Sequence, residues 1–158
     1  MIEKWIENDS WHVRLAAIEA CKGANVSMEL IKRAHEFSIE MIEKGMFDDD
    51  YEVRDAAVEA SKGKHIPLEI IEKALYSSNR ETRWCAMRMC NGRDDLPIEM
   101  LERALRDEWH YVSNCAIAVC NSMDIPIDVI DRWLNDDNMF VRKAAIQAVK
   151  SVTDSDYY

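Results

Sequence analysis

The sequence predicts an all-α protein, a stack of two-helix repeats with about ten helices and no sheet. Two observations carry the prediction: apolar stripes at helical spacing, and turn residues that recur at near-constant intervals. Residues 53–75 show both within one unit. Val53, Ala56, Ala57 and Ala60 fall at i, i+3, i+4 and i+7, on one face of a first helix, A. Three of them are alanine, so that face is flat and lets a neighbouring helix approach closely. Gly63 follows, where a chain leaving a helix often needs positive φ. Pro67 stands at an expected first helical position, since its fixed φ suits a helix start and its missing N–H is not needed there. Leu68, Ile71 and Leu75, widened by Ile70 and Ala74, form the stripe of a second helix, B. Neither helix buries its stripe alone, so the unit has to be stacked.

The unit is written again along the chain. Pairs equivalent to Val53-Arg54 occur at Val13-Arg14, Thr82-Arg83, Val112-Ser113 and Val141-Arg142, at intervals of 29, 30 and 29 residues after Val53 and 40 before it. The Pro67 position recurs as Pro97 and Pro126, with Ser27 in the first unit. The Gly63 position recurs as Gly23 and Gly92, then as Ser122 and Ser151. In the long first interval, residues 38–46 repeat the pattern of residues 27–34 at an offset of 11, about three turns at ~3.6 residues each. That insertion keeps the apolar face in phase and predicts one long helix over residues 27–44. Two short helices broken near residues 35–38 are the alternative.

At the ends, residues 3–9 match residues 131–137, so the chain opens on a B helix and closes on an A helix over residues 139–152. Residues 1–152 are expected to form one domain, with 153–158 a mobile tail. Trp5 and Ile6 at one end resemble the seam of Phe140, Val141 and Ala144 at the other, so weak end-to-end self-association is expected at high concentration.

Asp-x-x-Val-Arg-x-Ala-Ala-x-x-Ala followed by a Leu/Ile-rich helix resembles HEAT-type repeats, specifically the short variety named after phycobilisome lyases. The best matches are residues 50–60 and 138–148, and the resemblance extends over residues 1–152. The sequence departs from it in the long first B helix and at Val112-Ser113, where the usual Arg is missing. The resemblance implies a right-handed α-solenoid whose B helices line the concave surface. It specifies a fold and leaves function open, because such repeats serve many proteins as scaffolds.

At 158 residues and 48% hydrophobic, the chain can bury a sizeable core. Lys and Arg total 20 against 30 Asp and Glu, a formal charge of -10. Such a chain repels phosphates and anionic membranes on average, so nucleic acid is not expected as a partner. No apolar run approaches the ~18 residues of a membrane span. The first residues show neither a basic nor an apolar signal region, and a cytoplasmic location is expected.

Aligned repeats turn single residues into columns. Cys21, Cys90 and Cys120 share one with Ser61 and Val149, and Cys85 and Cys115 share another with Ala16, Ala56 and Ala144. These are small slots on the buried stripe of helix A, where cysteine acts as a small hydrophobe. No paired Cys-x-x-Cys and no histidine column accompanies them, so neither metal nor cofactor is expected. His12, His35, His65 and His110 occupy four different repeat positions and suggest no catalytic pairing. In the family, the column Arg14, Arg54, Arg83 and Arg142 sits inside the stack. Asp9, Asp49 and Asp137, five residues before three of its members, suggest a structural ladder rather than phosphate binding.

Helix B carries a recurrent pair of acids: Glu69 and Glu72, Glu99 and Glu102, Asp128 and Asp131. Two explanations stand. Glu69-Lys73, Glu99-Arg103, Asp128-Arg132 and Glu29-Arg33 are i,i+4 pairs worth ~0.2–0.5 kcal/mol each, giving a solvated, self-paired face. On the concave side implied by the resemblance, the same acids would form a groove for a basic partner. Two aromatics break polar columns: Trp84 has siblings Asp55, Asn114 and Lys143, with Leu15 the other exception, and Trp109 stands where Ser10, Asp50, Asn79 and Asn138 look like N-caps. With Tyr111 nearby, they suggest a contact cluster. Trp5 and Trp133 fall in a column with Ala34, Ala74 and Ala104 and are expected to be packed.

These observations point to a non-catalytic protein- or peptide-binding scaffold, not an enzyme. Its expected contacts are Glu69, Glu72, Glu99, Glu102, Asp128, Asp131, Trp84, Trp109 and Tyr111. The alternative is a nucleic-acid binder or base-excision enzyme of the HEAT-repeat DNA glycosylase type. It requires a basic concave face, which the acids of helix B do not offer.

Overall fold

The computed structural model describes residues 39–155, together with residues 8, 10, 12 and 13. The expected half unit around Trp5, most of the first A helix, the part of the long B helix before residue 39 and the end of the tail lie outside the described residues. Between residues 39 and 155 the chain forms eight helices and no strand, where about ten helices were expected for the whole chain. They are α1 (39–46), α2 (Tyr51–Ser61), α3 (Leu68–Leu75), α4 (Arg80–Met89), α5 (Ile98–Leu105), α6 (His110–Cys120), α7 (Ile127–Leu134) and α8 (Met139–Ser155). Even-numbered helices are the A helices of the repeat and odd-numbered ones the B helices. Helix α8 continues past the expected end at residue 152.

The punctuation works as side-chain chemistry. The carboxylate of Asp50 accepts the Glu52 N–H at 2.8 Å, Asn79 accepts that of Glu81 at 2.9 Å, and Asn138 accepts that of Phe140 at 2.8 Å. Each satisfies a donor that the first helical turn leaves unpaired, worth about 1 kcal/mol. Trp109 caps α6 without a side-chain hydrogen bond. Pro97 and Pro126 are N-caps, one position before the first helical residue, because their ψ of 138° and 142° is extended. Gly63 and Gly92 take φ of 72° and 82°, the left-handed exit their positions demand.

Contacts divide the chain into two compact units, Met1–Ala74 and Leu75–Tyr158. In the described part of the first, Met41, Ile42 and Met46 of α1, the stripe Val53, Ala56, Ala57 and Ala60 of α2, and Ile71 and Ala74 of α3 are buried. In the second, α4 packs on α6 and α6 on α8, so consecutive A helices lie side by side. Helix α5 packs on α6 and α8, and α7 on α8. Their interior is filled by Cys85, Ala86 and Met87 of α4, Leu101, Ala104 and Leu105 of α5, Val112, Ala116 and Val119 of α6, and Trp133. Trp133 is completely buried where its siblings are alanine.

Candidate functional site

Every described loop entering an A helix makes the same turn. The side chain two residues before the cap accepts the cap's own N–H: Asp48 for Asp50 at 2.9 Å, Ser77 for Asn79 at 3.1 Å, Asp107 for Trp109 at 2.9 Å and Asp136 for Asn138 at 2.8 Å. The arginine column braces these turns from behind. Arg54 Nη1 donates to the Asp48 carbonyl at 2.6 Å. Arg83 Nη1 donates to the Ser77 and Ser78 carbonyls at 3.0 and 3.2 Å, and Arg142 Nη1 to those of Asp136 and Asp137 at 2.6 and 2.8 Å. Among the described residues the column grips backbone oxygens at the loop. Where Arg is replaced by Ser113, the hydroxyl donates to the equivalent carbonyl, that of Asp107, at 3.2 Å.

Arg83 also reaches the next loop. Its Nε donates to Asp107 Oδ2 at 2.7 Å and its Nη2 to Oδ1 at 3.1 Å, across to the next loop, with Glu108 Oε1 at 3.3 Å. Both side chains of the Arg83–Asp107 pair are more than nine-tenths buried. The hydrogen bond to Asp107 raises the Arg83 pKa above its ordinary value, against the opposing effect of burial. One loop later, Arg106 takes the corresponding place and holds Asp136 with both Nη atoms. That bond, followed by the Asn138 N–H, lowers the Asp136 pKa. An open polar cavity of about 470 Å³ lies here, lined by Ser77, Arg83, Arg103, Arg106, Asp107 and Glu108.

The two tryptophans singled out by the repeat columns and the nearby Tyr111 come together. Trp84 of α4 meets Trp109 edge-on, with ring centroids 5.9 Å apart and planes at 74°. Tyr111 lies 6.1 Å from Trp84 and 5.0 Å from Trp109. The cluster carries two cations that the columns did not reveal: Arg80 lies over Trp109 at 4.9 Å, and Arg88 over Trp84 at 4.8 Å. Tyr111 is half exposed and stacks on exposed His110 at 4.4 Å. Arg80 and Arg88 lie four residues before and after Trp84, one helical turn away, so helix periodicity was the signal for Arg88. Arg80 reaches a ring in the next repeat, which requires tertiary packing.

The acids of helix B behave differently from one another. Glu69, Glu72, Glu99, Asp128 and Asp131 are exposed. Glu102 is half-buried, and its Oε1 accepts the Trp133 indole N–H at 2.7 Å and an Arg132 N–H. The basic residues expected to pair within their own helices reach back to the preceding repeat. Lys73 binds Glu43 at 2.6 Å, Arg132 binds Glu102, and Arg103 donates to the Leu75 carbonyl at 3.3 Å while lying 3.8 Å over the Tyr76 ring.

Cys85, Cys90 and Cys120 are buried and Cys115 is half-buried, all as free thiols. Burial pushes the Cys90 and Cys120 thiols up to about 12, which keeps them protonated. Among the described residues no group of His, Cys, Asp and Glu converges to hold a metal, and no helix is long and apolar enough to cross a membrane.

Helical repeats with capped, arginine-braced loops are a HEAT-like arrangement. The profile of a HEAT repeat associated with sister chromatid cohesion matches residues 39–60. The profile of the family described as DNA alkylation repair enzyme matches residues 50–156, and the chain belongs to that family. No curated protein matches the sequence. Among solved structures, that of an engineered protein is 18% identical, covers 98% of this chain and 83% of its own, and superposes with a TM-score of 0.48.

Family membership corrects three expectations. The non-catalytic protein-binding scaffold gives way to a DNA repair family, the exclusion of an enzyme is withdrawn, and nucleic acid is no longer an unexpected partner. The physical reason is that a net charge of -10 averages over the chain. Glu69, Glu72, Glu99, Asp128 and Asp131 are exposed on the B helices, whereas Arg80 and Arg88 lie on α4 beside the aromatic rings. A whole-chain sum says little about a local surface.

Proposed function

We propose that this protein acts on DNA carrying an alkylated base and releases that base by hydrolysis. The observation that carries the reading is the Trp84–Trp109–Tyr111 cluster flanked by Arg80 and Arg88. A guanidinium stacked on a ring places positive charge beside it, which favours a phosphate nearby, while aromatic rings attract a cationic base. Family membership supports the same reading. A base alkylated on a ring nitrogen carries positive charge and leaves as a neutral molecule. The C1′–N bond breaks with its electron pair going to the base, and water adds at C1′ and loses a proton. Asp107 is committed to Arg83 and the Trp109 amide; exposed Glu108 beside Trp109, which accepts from Arg83 through Oε1 alone at 3.3 Å, keeps Oε2 as the oxygen to orient that water. The exposed acids of the B helices repel phosphate and stand outside the contact surface, in repeats that we take to stack as an α-solenoid.

A duplex containing one N7-methylguanine, incubated with the protein and then treated with alkali, tests this. Strand scission at that site is expected with the wild type, with a reduction of about ten-fold or more in Glu108→Gln and Trp109→Ala. Binding without scission would contradict the hydrolytic step. Neither binding nor scission would remove the functional reading.

A further inference from the structure

We propose that Asp107, clamped by Arg83, is a positioning residue that sets the geometry of the aromatic cluster. The inference deepens the functional reading above and rests on it for its consequence in DNA. The rings come from two places: Trp84 from α4, Trp109 and Tyr111 from the start of the next A helix, α6. One carboxylate ties the two together. Its Oδ2 accepts Arg83 Nε at 2.7 Å, and its Oδ1 accepts Arg83 Nη2 at 3.1 Å and the Trp109 backbone N–H at 2.9 Å. Arg83 immediately precedes Trp84, and its Nη1 is anchored on the Ser77 and Ser78 carbonyls. The guanidinium is therefore fixed on one side by its own loop and on the other by the loop that presents Trp109.

Asp136 forms the same kind of turn one repeat later, and supplies a built-in contrast. It accepts the Asn138 N–H at 2.8 Å and is held by two Nη atoms, but those belong to Arg106, in a loop. The residue it presents is a polar cap rather than an aromatic. Both carboxylates serve the fold, and Asp107 alone of the two serves the rings. A planar, bidentate fork fixes orientation as well as distance, so replacing Arg83 by Lys keeps the charge and loses the alignment.

The test compares full-length Asp107→Asn, Arg83→Lys and Asp136→Asn by near-ultraviolet circular dichroism, which reads coupling between Trp84 and Trp109, and by base release from N7-methylguanine DNA. Asp107→Asn and Arg83→Lys are expected to lose the part of the tryptophan signal that comes from Trp84–Trp109 coupling, the part lost in Trp84→Phe, with helix content retained. Their base release should fall about ten-fold through misplacement of the rings, while Asp136→Asn keeps both readouts. A tryptophan signal unchanged in folded Asp107→Asn would overturn the proposal, as would an equal loss in Asp136→Asn. Should Asp107→Asn fail to fold, Arg83→Lys decides by the same criteria. A wild type that neither binds nor cleaves the DNA would defeat the functional reading, and the spectroscopic comparison would still decide whether Asp107 positions the rings.

Discussion

At Gly92 the backbone turns out of an A helix with φ of 82°, and no heavy atom lies within 4 Å of where a β-carbon would stand. Gly92→Ala should therefore cost only the left-handed conformation, about 1–2 kcal/mol, measured by urea unfolding. This was legible in the sequence because a glycine's backbone freedom is local. The role of Asp136 was not, since its partner Arg106 lies 30 residues away. With its folded-state pKa lowered, Asp136 contributes stability that is complete above the ordinary carboxyl value of 3.8 and is lost as pH falls through the depressed value. Asp136→Asn should lower the melting temperature at neutral pH. In acid the wild-type and variant curves should converge. A constant gap down to pH ~2 would show that the ion pair is not the cause.

Helix identity, stripes and caps were readable because each depends on residues within a few turns of one another. The direction of ion pairing was not. Glu99-Arg103 and Asp128-Arg132 have the favoured spacing within a helix, yet Arg103 and Arg132 reach the preceding repeat. A partner one repeat back becomes visible only once the helices are packed. The two acids of α5 should respond accordingly. Glu102→Ala leaves the buried Trp133 indole N–H without its acceptor and should cost about 1–3 kcal/mol. Glu99→Ala, at an exposed position, should stay within about 0.5 kcal/mol. Equal effects in denaturant titrations would restore the self-paired face that the spacing implies.

Across the whole molecule, composition pointed away from nucleic acid, and the columns singled out two rings that pack against each other. Trp84 and Trp109 stood out because each broke a polar column, and both lie in the cluster that now carries the functional proposal. What composition hid was the placement of Arg80 and Arg88 over the rings of Trp109 and Trp84. The central claim is that DNA meets the aromatic–arginine surface rather than the acidic helices. Hydrogen–deuterium exchange with and without an N7-methylguanine duplex tests it most directly. The account predicts slowed exchange in residues 80–88 and 107–113, with the B helices unchanged. Slowing confined to residues 98–105 and 127–134, or none at DNA concentrations that saturate binding, would contradict it.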